Sequence, residues 1–288
     1  MRILVTGAGG LVGTALRASS DDEFTSLKHG EHWDTAAGTI DAARLEGHDA
    51  VVHLAGDNIA SGRWTEKKKE RIRSSRVDGT KLLCDALADL DKPPSVLLSA
   101  SAVGYYGHRY GEHLHEYADP GKGFLADVCT AWEGATKAAK DAGIRVVHMR
   151  LGIVLSADGG ALRKMLTPFR MGVGGKLGKG DQYMSWITID DAVSAIRHCL
   201  EHDAIVGPVN LAAPGSVTNK EFTKTLGKVL RRPTIFPMPK LVARIVFGEM
   251  ADALLLCSTR CVPERLEQTG FAFAHPELEG ALRHVLGR

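Results

Sequence analysis

A chain of 288 residues, 44% apolar and 24% charged with a net charge of +2, can bury a sizeable core. It has no charge excess to draw it to nucleic acid or to an acidic membrane surface. Five cysteines, at 84, 129, 199, 257 and 261, are odd in number and scattered, which excludes a disulfide framework. Cys257 and Cys261 stand four apart, but with no second pair and no histidine at ligand spacing the expectation is buried free thiols and no metal. The most apolar late segment, Leu241 to Cys257, is broken by Arg244, Glu249 and Asp252, so no membrane span is expected.

Ile3 to Val5 reads as a buried parallel strand. Because the fold is already under way there, no leader is expected, and the chain is expected to be cytoplasmic and reduced. The strand empties into Gly7, Gly10 and Gly13, and then into a helical pattern expected over Thr14 to about Ser19. Gly7 permits a tight turn, Gly10 leaves room for a pyrophosphate at the backbone, and Gly13 lets the helix pack close on the strand. The helix start supplies free N–H groups and a partial positive charge. Gly7, Gly10, Leu11, Val12 and Gly13 are therefore the expected cofactor loop; the alternative is a glycine-rich turn with no ligand.

Glu23 to Leu27 reads as a second strand, ending at Lys28-His29. Folds of this kind place an acidic side chain there for a ribose 2′-hydroxyl. Lys28 would instead pair with a 2′-phosphate, so NADP is expected over NAD; the alternative is an exposed lysine at a strand end. Residues 30–48 are polar and irregular, with one short strand near His32-Trp33-Asp34. Asp49 to Gly56 is a third buried strand, and its small corner Leu54-Ala55-Gly56 suits a dinucleotide crossing strand ends. From Arg63 to Arg76 there are seven basic and two acidic residues. Lys67, Lys68 and Lys69 read as a solvated helix face, whereas Arg63 and Arg76 can grip a phosphate or carboxylate bidentately. Asp78 to Leu90 continues as an amphipathic helix through Leu82, Leu83, Ala86 and Leu87.

Pro93-Pro94 precede the strand Val96-Leu97-Leu98, which delivers Ser99 to Gly107. Chemistry in open α/β sheets gathers at the carboxyl ends of strands, which makes Ser101, Tyr105 and Tyr106 candidates. One hydroxyl bonded to backbone and two tyrosines packed under a loop would read the same way. A polar loop over 108–122, a helix Phe124–Asp141 and a strand Ile144–Gly152 complete the alternation. The fold expected is α/β: a Rossmann-type doubly wound parallel sheet over 1–155, with 186–212 returning to it. Residues 156–185 and 213–288 are expected to form a smaller, C-terminal substrate region. There the loop Gly172–Gly180 is either a cradle for a substrate phosphate or a mobile lid with no ligand. Trp186 to Ile189 leads into a helix capped at Asp190-Asp191, Ala192 to Leu200. Thr218 to Glu221 opens a capped helix to Leu230, and another helix lies near 240–256.

On these residues the chain resembles, nearly end to end, the extended short-chain dehydrogenase/reductase superfamily. Gly7-xx-Gly10-xx-Gly13, Asp49–Gly56, Gly79-Thr80, Trp186–Asp191 and Pro208–Asn210 carry the resemblance. More narrowly it is similar to an atypical branch termed epimerase-like or cell-division-inhibitor-like. That branch carries Arg63-Trp64, Ser75-Arg76, Ser101–Gly107, Trp132-Glu133, Gly159-Gly160, Pro168-Phe169-Arg170 and Gly178-x-Gly180-x-Gln182. The resemblance implies a nicotinamide cofactor, a small-molecule substrate and a homodimer through the helices at 78–90 and 124–141.

The departures concern the chemistry. Active superfamily members use a Tyr-xxx-Lys pair, whose lysine lowers the tyrosine pKa from about 10 so that it shuttles a proton. No such pair occurs here. By alignment Leu125 stands for the tyrosine and Cys129 for the lysine, and Arg76 replaces an asparagine; of the usual set only Ser101 remains. The expected replacements are Tyr105 or Tyr106, with Arg76 as the cation. Two functions stay open: an NADP-dependent oxidoreductase or epimerase with a rewired site, and a catalytically inactive NADP-binding regulatory module.

Overall fold

Six of the apolar runs pair into one parallel sheet. In the computed structural model, which describes residues 1–288, these strands are β1 (Arg2–Thr6), β2 (Glu23–Leu27), β3 (Ala50–His53), β4 (Val96–Ala102), β5 (Arg145–Leu151) and β6 (Gly207–Leu211). Their spatial order is β6-β5-β4-β3-β1-β2, and every pairing is parallel. This is the doubly wound arrangement expected. Both faces are covered, so the strands read as continuous apolar runs rather than alternating ones. The two-residue side-chain period divides them between two cores. Ile3, Val5, Ala50, Val52, Val96, Leu98, Val147 and Met149 pack with α1 (Leu11–Ala18) and α6 (Ile189–Glu201). Leu4, Val51, Leu97 and Val146 pack on the other face with Trp33, Leu45 and α2 (Glu66–Ala88).

Several boundaries differ from expectation for identifiable reasons. Helix α1 begins at Leu11, directly after Gly10 at its N-cap. Helix α2 is a single helix, so the charged run and the amphipathic stretch are one element; Thr65 caps it, accepting the Lys68 N–H at 3.2 Å. The helix expected over Phe124–Asp141 is divided into α3 (Phe124–Gly134) and α4 (Lys137–Asp141). At the break the Thr136 hydroxyl donates to the Glu133 carbonyl at 2.8 Å. Helix α6 starts at Ile189 and is capped by Thr188, not by the aspartates: the Thr188 hydroxyl accepts the Asp191 N–H at 3.0 Å. The buried Asp191 carboxylate instead accepts the backbone N–H groups of Ala274 and His275, at 2.8 and 3.0 Å.

A third core forms around Trp186, with Leu162 from α5 (Gly160–Arg170), Phe222 and Leu226 from α7 (Asn219–Leu230) and Leu282 from α10 (Leu278–Val285), while α9 (Glu264–Gln268) sends Leu266 into the first core. Helix α7 has the expected capping box between Thr218 and Glu221. The stretch near 240–256 is α8 (Lys240–Phe247), a break at Gly248 with φ of 62°, and a π-helical turn at Ala251–Leu255. No helix is long and apolar enough to cross a membrane.

Strand β1 has β2 on one side and β3 on the other, reached by connections leaving in opposite directions. The crevice between the carboxyl ends of β1 and β3 is thus the topological switch point, where open α/β sheets take their ligands.

Candidate functional site

Gly7 and Leu54 meet at that switch point. Gly7 has a φ of +67°, and a Cβ there would lie 2.7 Å from the Leu54 carbonyl carbon. Its carbonyl accepts the Gly10 N–H at 2.9 Å and closes the turn. A Cβ on Gly13 would come within 2.5 Å of the Gly7 oxygen, so the helix can sit this close to the strand only without one. The first intrahelical bond of α1 runs from Thr14 to Gly10. The N–H groups of Leu11, Val12 and Gly13 are therefore without acceptors within the helix. Gly10 supplies no side-chain cap, and the first turn holds no acidic residue. Those are the features of helix starts that take anions. Around it, Val12 packs into the first core, and Leu11 lies under Gly159 and Gly160, 3.3 Å from where a Cβ on either would be.

The crevice's other wall is held by a buried polar chain. The Thr6 hydroxyl accepts the N–H groups of Leu54 and Ala55 at 3.1 and 3.2 Å, which leaves its proton for His53 Nδ1 at 2.7 Å. His53 Nε2–H then donates to the Thr80 hydroxyl at 2.9 Å, which also accepts the Trp132 indole N–H at 2.8 Å. These roles require a neutral imidazole, and burial pushes the His53 pKa down to about 4. The chain ties β1, β3, α2 and α3 together beneath the corner Leu54-Ala55-Gly56.

Lys28 is exposed at the end of β2, and its ammonium pairs with Glu31 Oε2 at 3.1 Å. Gly56 ends the corner under Arg76, whose guanidinium carbon would be 3.2 Å from a Cβ there. Arg76 donates to the carbonyls of Ile72 and Asp57 at 3.0 and 3.1 Å and lies 5.1 Å from the centre of the Trp132 ring. It is a packed strut between α2 and the corner.

Ser101, next to last in β4, has 2% of its surface exposed, and its hydroxyl donates to Glu133 Oε1 at 2.7 Å. Arg150, on β5, grips the same carboxylate with two nitrogens, each at 2.8 Å. Its remaining nitrogen donates to the Tyr106 hydroxyl and to the Glu116 carbonyl, both at 2.9 Å. Burial works against the Arg150 charge, but Glu133 and Tyr106 hold its pKa above the ordinary range.

Two expectations are corrected here. Tyr106 is fully buried and gives its proton to Asn210 Oδ1 at 2.7 Å; burial raises its phenol pKa rather than lowering it, so it is a structural residue. The cation against the tyrosines is Arg150, not Arg76: the Arg150 guanidinium carbon lies 3.5 Å from the Tyr105 ring centre. Tyr105 itself is half-buried, edge-on to Tyr106 with ring centres 5.4 Å apart. Across from this turn, Leu125 and Cys129 lie against Gly104, 3.5 and 3.8 Å from where its Cβ would be. Burial pushes the Cys129 thiol up to about 12, so neither residue offers a proton or a positive charge.

Two further readings change. Lys68 is 6% exposed, not on a solvated face: its ammonium ties Asp57, the Asn58 carbonyl and Ser61 into the loop ahead of α2. The loop Gly172–Gly180 is bonded into the protein along much of its length. Its N–H groups at Gly172, Val173, Leu177, Gly178 and Gly180 are taken by protein acceptors. Met238 bonds it on both sides, and a Cβ on Gly175 would fall 1.8 Å from the Phe236 carbonyl oxygen. Gly175 and Gly178 pack on Phe236 and Lys240, and Gly174 on the Phe169 ring.

Residues 3–212 match the profile of the NAD dependent epimerase/dehydratase family. The chain belongs to that family. Residues 238–285 match a domain of unknown function, DUF1731. Epimerase family protein Mb2239 of Mycobacterium bovis is 40% identical over 296 aligned positions, covering 99% of this chain and 98% of that one. A crystal structure of human epimerase family protein SDR39U1, isoform 2, with NADPH superposes with a TM-score of 0.90 at 34% identity, covering 100% of both chains. A nucleoside-diphosphate sugar epimerase from Corynebacterium glutamicum superposes with a TM-score of 0.81 at 35% identity, over 100% of this chain and 58% of that one.

Proposed function

We propose that this family member binds NADPH in the crevice between β1 and β3 and acts as an oxidoreductase or epimerase-like enzyme on a small molecule. The observation that carries the cofactor is the uncapped start of α1 behind a turn whose glycines leave no room for a Cβ. The human relative solved with NADPH supports the same choice. Leu11, Val12 and Gly13 would give N–H groups to the pyrophosphate, and Lys28 would turn from Glu31 to a 2′-phosphate. When bound, the cofactor supplies hydride transfer. Tyr105 is the group we assign to move the proton, because Tyr106 and Ser101 both have their hydroxyls engaged within the protein. Ser101, whose proton goes to Glu133, keeps its lone pairs to accept from a substrate hydroxyl. Residues 156–185 and 213–288 are proposed as the substrate side.

The apolar contact of Leu125 and Cys129 with Gly104 favours a second reading, in which NADPH occupancy is signalled to a partner without turnover. The test has two stages. NADPH and NADH titrations should give tighter NADPH binding, reversed or erased in Lys28→Asp; equal affinities in the parent would refute the NADP assignment. A metabolite panel with NADP+ then separates the two readings. Turnover lost in Tyr105→Phe supports the enzyme, whereas equal turnover in parent and variant removes Tyr105 from it.

A further inference from the structure

We propose that Asp190, His275 and His284 form a binding site for a divalent transition-metal ion, zinc in particular, that fastens the C-terminal helix to the start of α6. The three side chains come from separate pieces of chain: the first turn of α6, the loop ahead of α10, and the last turn of α10. Their ligand atoms all lie within 4.8 Å of one another. Asp190 Oδ2 and His284 Nε2 are 2.8 Å apart, and the His275 and His284 rings stack with centres 4.0 Å apart and planes at 23°.

The ligand set decides the ion. Two imidazoles and one carboxylate are the donors of a three-ligand zinc site with water in the fourth position. Calcium and magnesium would call for more oxygen donors. Two donors bound tetrahedrally at zinc–ligand distances of about 2.0–2.1 Å stand roughly 3.3 Å apart. The Asp190–His284 pair is already close to that spacing. His275 has to swing its ring out of the stack, a side-chain rotation at a partly exposed position.

The backbone behind each ligand is fixed independently. Thr188 caps the turn that carries Asp190. The buried Asp191 carboxylate holds the His275 N–H. Leu278, Ala281 and Leu282 seat α10 in the third core. His284 also lies in the last turn of α10, where the carbonyl end of the helix favours a cation. The neighbouring Arg283 is drawn away to Glu279 at 2.8 Å. A bound ion would thus crosslink three segments without touching the crevice.

The test uses the full chain stripped of metal with a chelator and titrated with zinc chloride and with cobalt(II) chloride. The expected result is one equivalent bound, a thermal midpoint raised by several degrees, and a cobalt spectrum without the thiolate charge-transfer band of a cysteine site. His284→Gln and His275→Gln, both at positions that are not buried, should fold, keep NADPH binding and lose the metal response. Failure of the parent to bind zinc, or unchanged binding in both variants, overturns the proposal. A cobalt–thiolate band overturns it equally, since the ion would then sit elsewhere.

Discussion

Arg150 and Glu133 form a two-pronged ion pair, 2.8 Å at each contact, with only 3% and 11% of their side-chain surfaces exposed. The same guanidinium supports Tyr105 from one side and bonds the Tyr106 hydroxyl. Breaking a buried pair on one side costs about 3–5 kcal/mol, because the other charge stays behind unpaired. Arg150→Met should therefore lose stability on that scale in urea unfolding. Arg150→Lys should recover only part of it, since an ammonium cannot reproduce the fork. Glu133→Gln should cost a comparable amount, since it leaves the buried guanidinium without its counter-charge and sets an amide NH2 against its donors.

The glycine loop separates folding from binding. Gly7→Ala puts a methyl on backbone at positive φ, and should destabilise by at least about 3 kcal/mol. Gly10 is different: a Cβ there meets only the Gly7 oxygen, at 3.2 Å. Gly10→Ala should fold within about 1 kcal/mol of the parent, yet bind NADPH at least tenfold more weakly, because the methyl would stand where the backbone is proposed to approach the pyrophosphate. Urea midpoints and cofactor fluorescence titrations read the two effects independently.

Acid should unfold the chain through its buried histidines. His53 and His148 are both pushed down to about 4 by burial, from an ordinary value of 6.5. Below pH 6.5 the unfolded chain takes up protons that the folded one refuses, so the stability these residues give above pH 6.5 is lost as the pH falls towards 4. The loss is on the order of 3 kcal/mol for each. Urea midpoints measured from pH 7.5 to 4.5 should fall steadily below 6.5. His53→Gln should flatten part of that fall while lowering stability at neutral pH.

Glu31 pairs with Lys28, the residue proposed to take the 2′-phosphate. Glu31→Gln should strengthen NADPH binding two- to fivefold and leave NADH binding unchanged, a comparison that titrations of the two nucleotides make directly. The ion pair is exposed, so the effect should shrink at high salt.

The thiols should be silent in the native state. Cys84, Cys129, Cys199 and Cys261 are buried and held up to about 12, and Cys257, partly exposed, to about 11. A disulfide reagent at pH 8 should modify at most one thiol before denaturant is added and all five afterwards.

The sheet and the glycine turn were legible because they rest on local signals: short apolar runs, and glycines at positions where strand, turn and helix must touch. The site was only half legible, because its key residues are hidden in patterns with another explanation. Arg150 sits in a run of buried strand residues, where a lone arginine already implies a partner. That partner, Glu133, is 17 residues away and on another element. Lys68 looked like its neighbours Lys67 and Lys69, and only the register of α2 turns it inward. The loop at 172–180 misled for a related reason. Glycines that admit a ligand and glycines that admit other parts of the protein are indistinguishable until Phe236 and Lys240 are seen lying against Gly175 and Gly178. Asp191 was read as a cap because caps are local, whereas its bonds reach 83 and 84 residues along the chain.

Those two bonds from Asp191 to Ala274 and His275 also bear on how the chain can be handled. A protein shortened before residue 274 would leave a carboxylate buried at the head of α6 with its backbone partners gone, in the middle of the first core's edge. Removing the tail is thus not a neutral trimming of a peripheral helix. Shortened forms should go to insoluble material on expression, and in the intact chain protease nicks around 270–277 should be followed by rapid loss of the whole fold rather than by a trimmed, stable fragment.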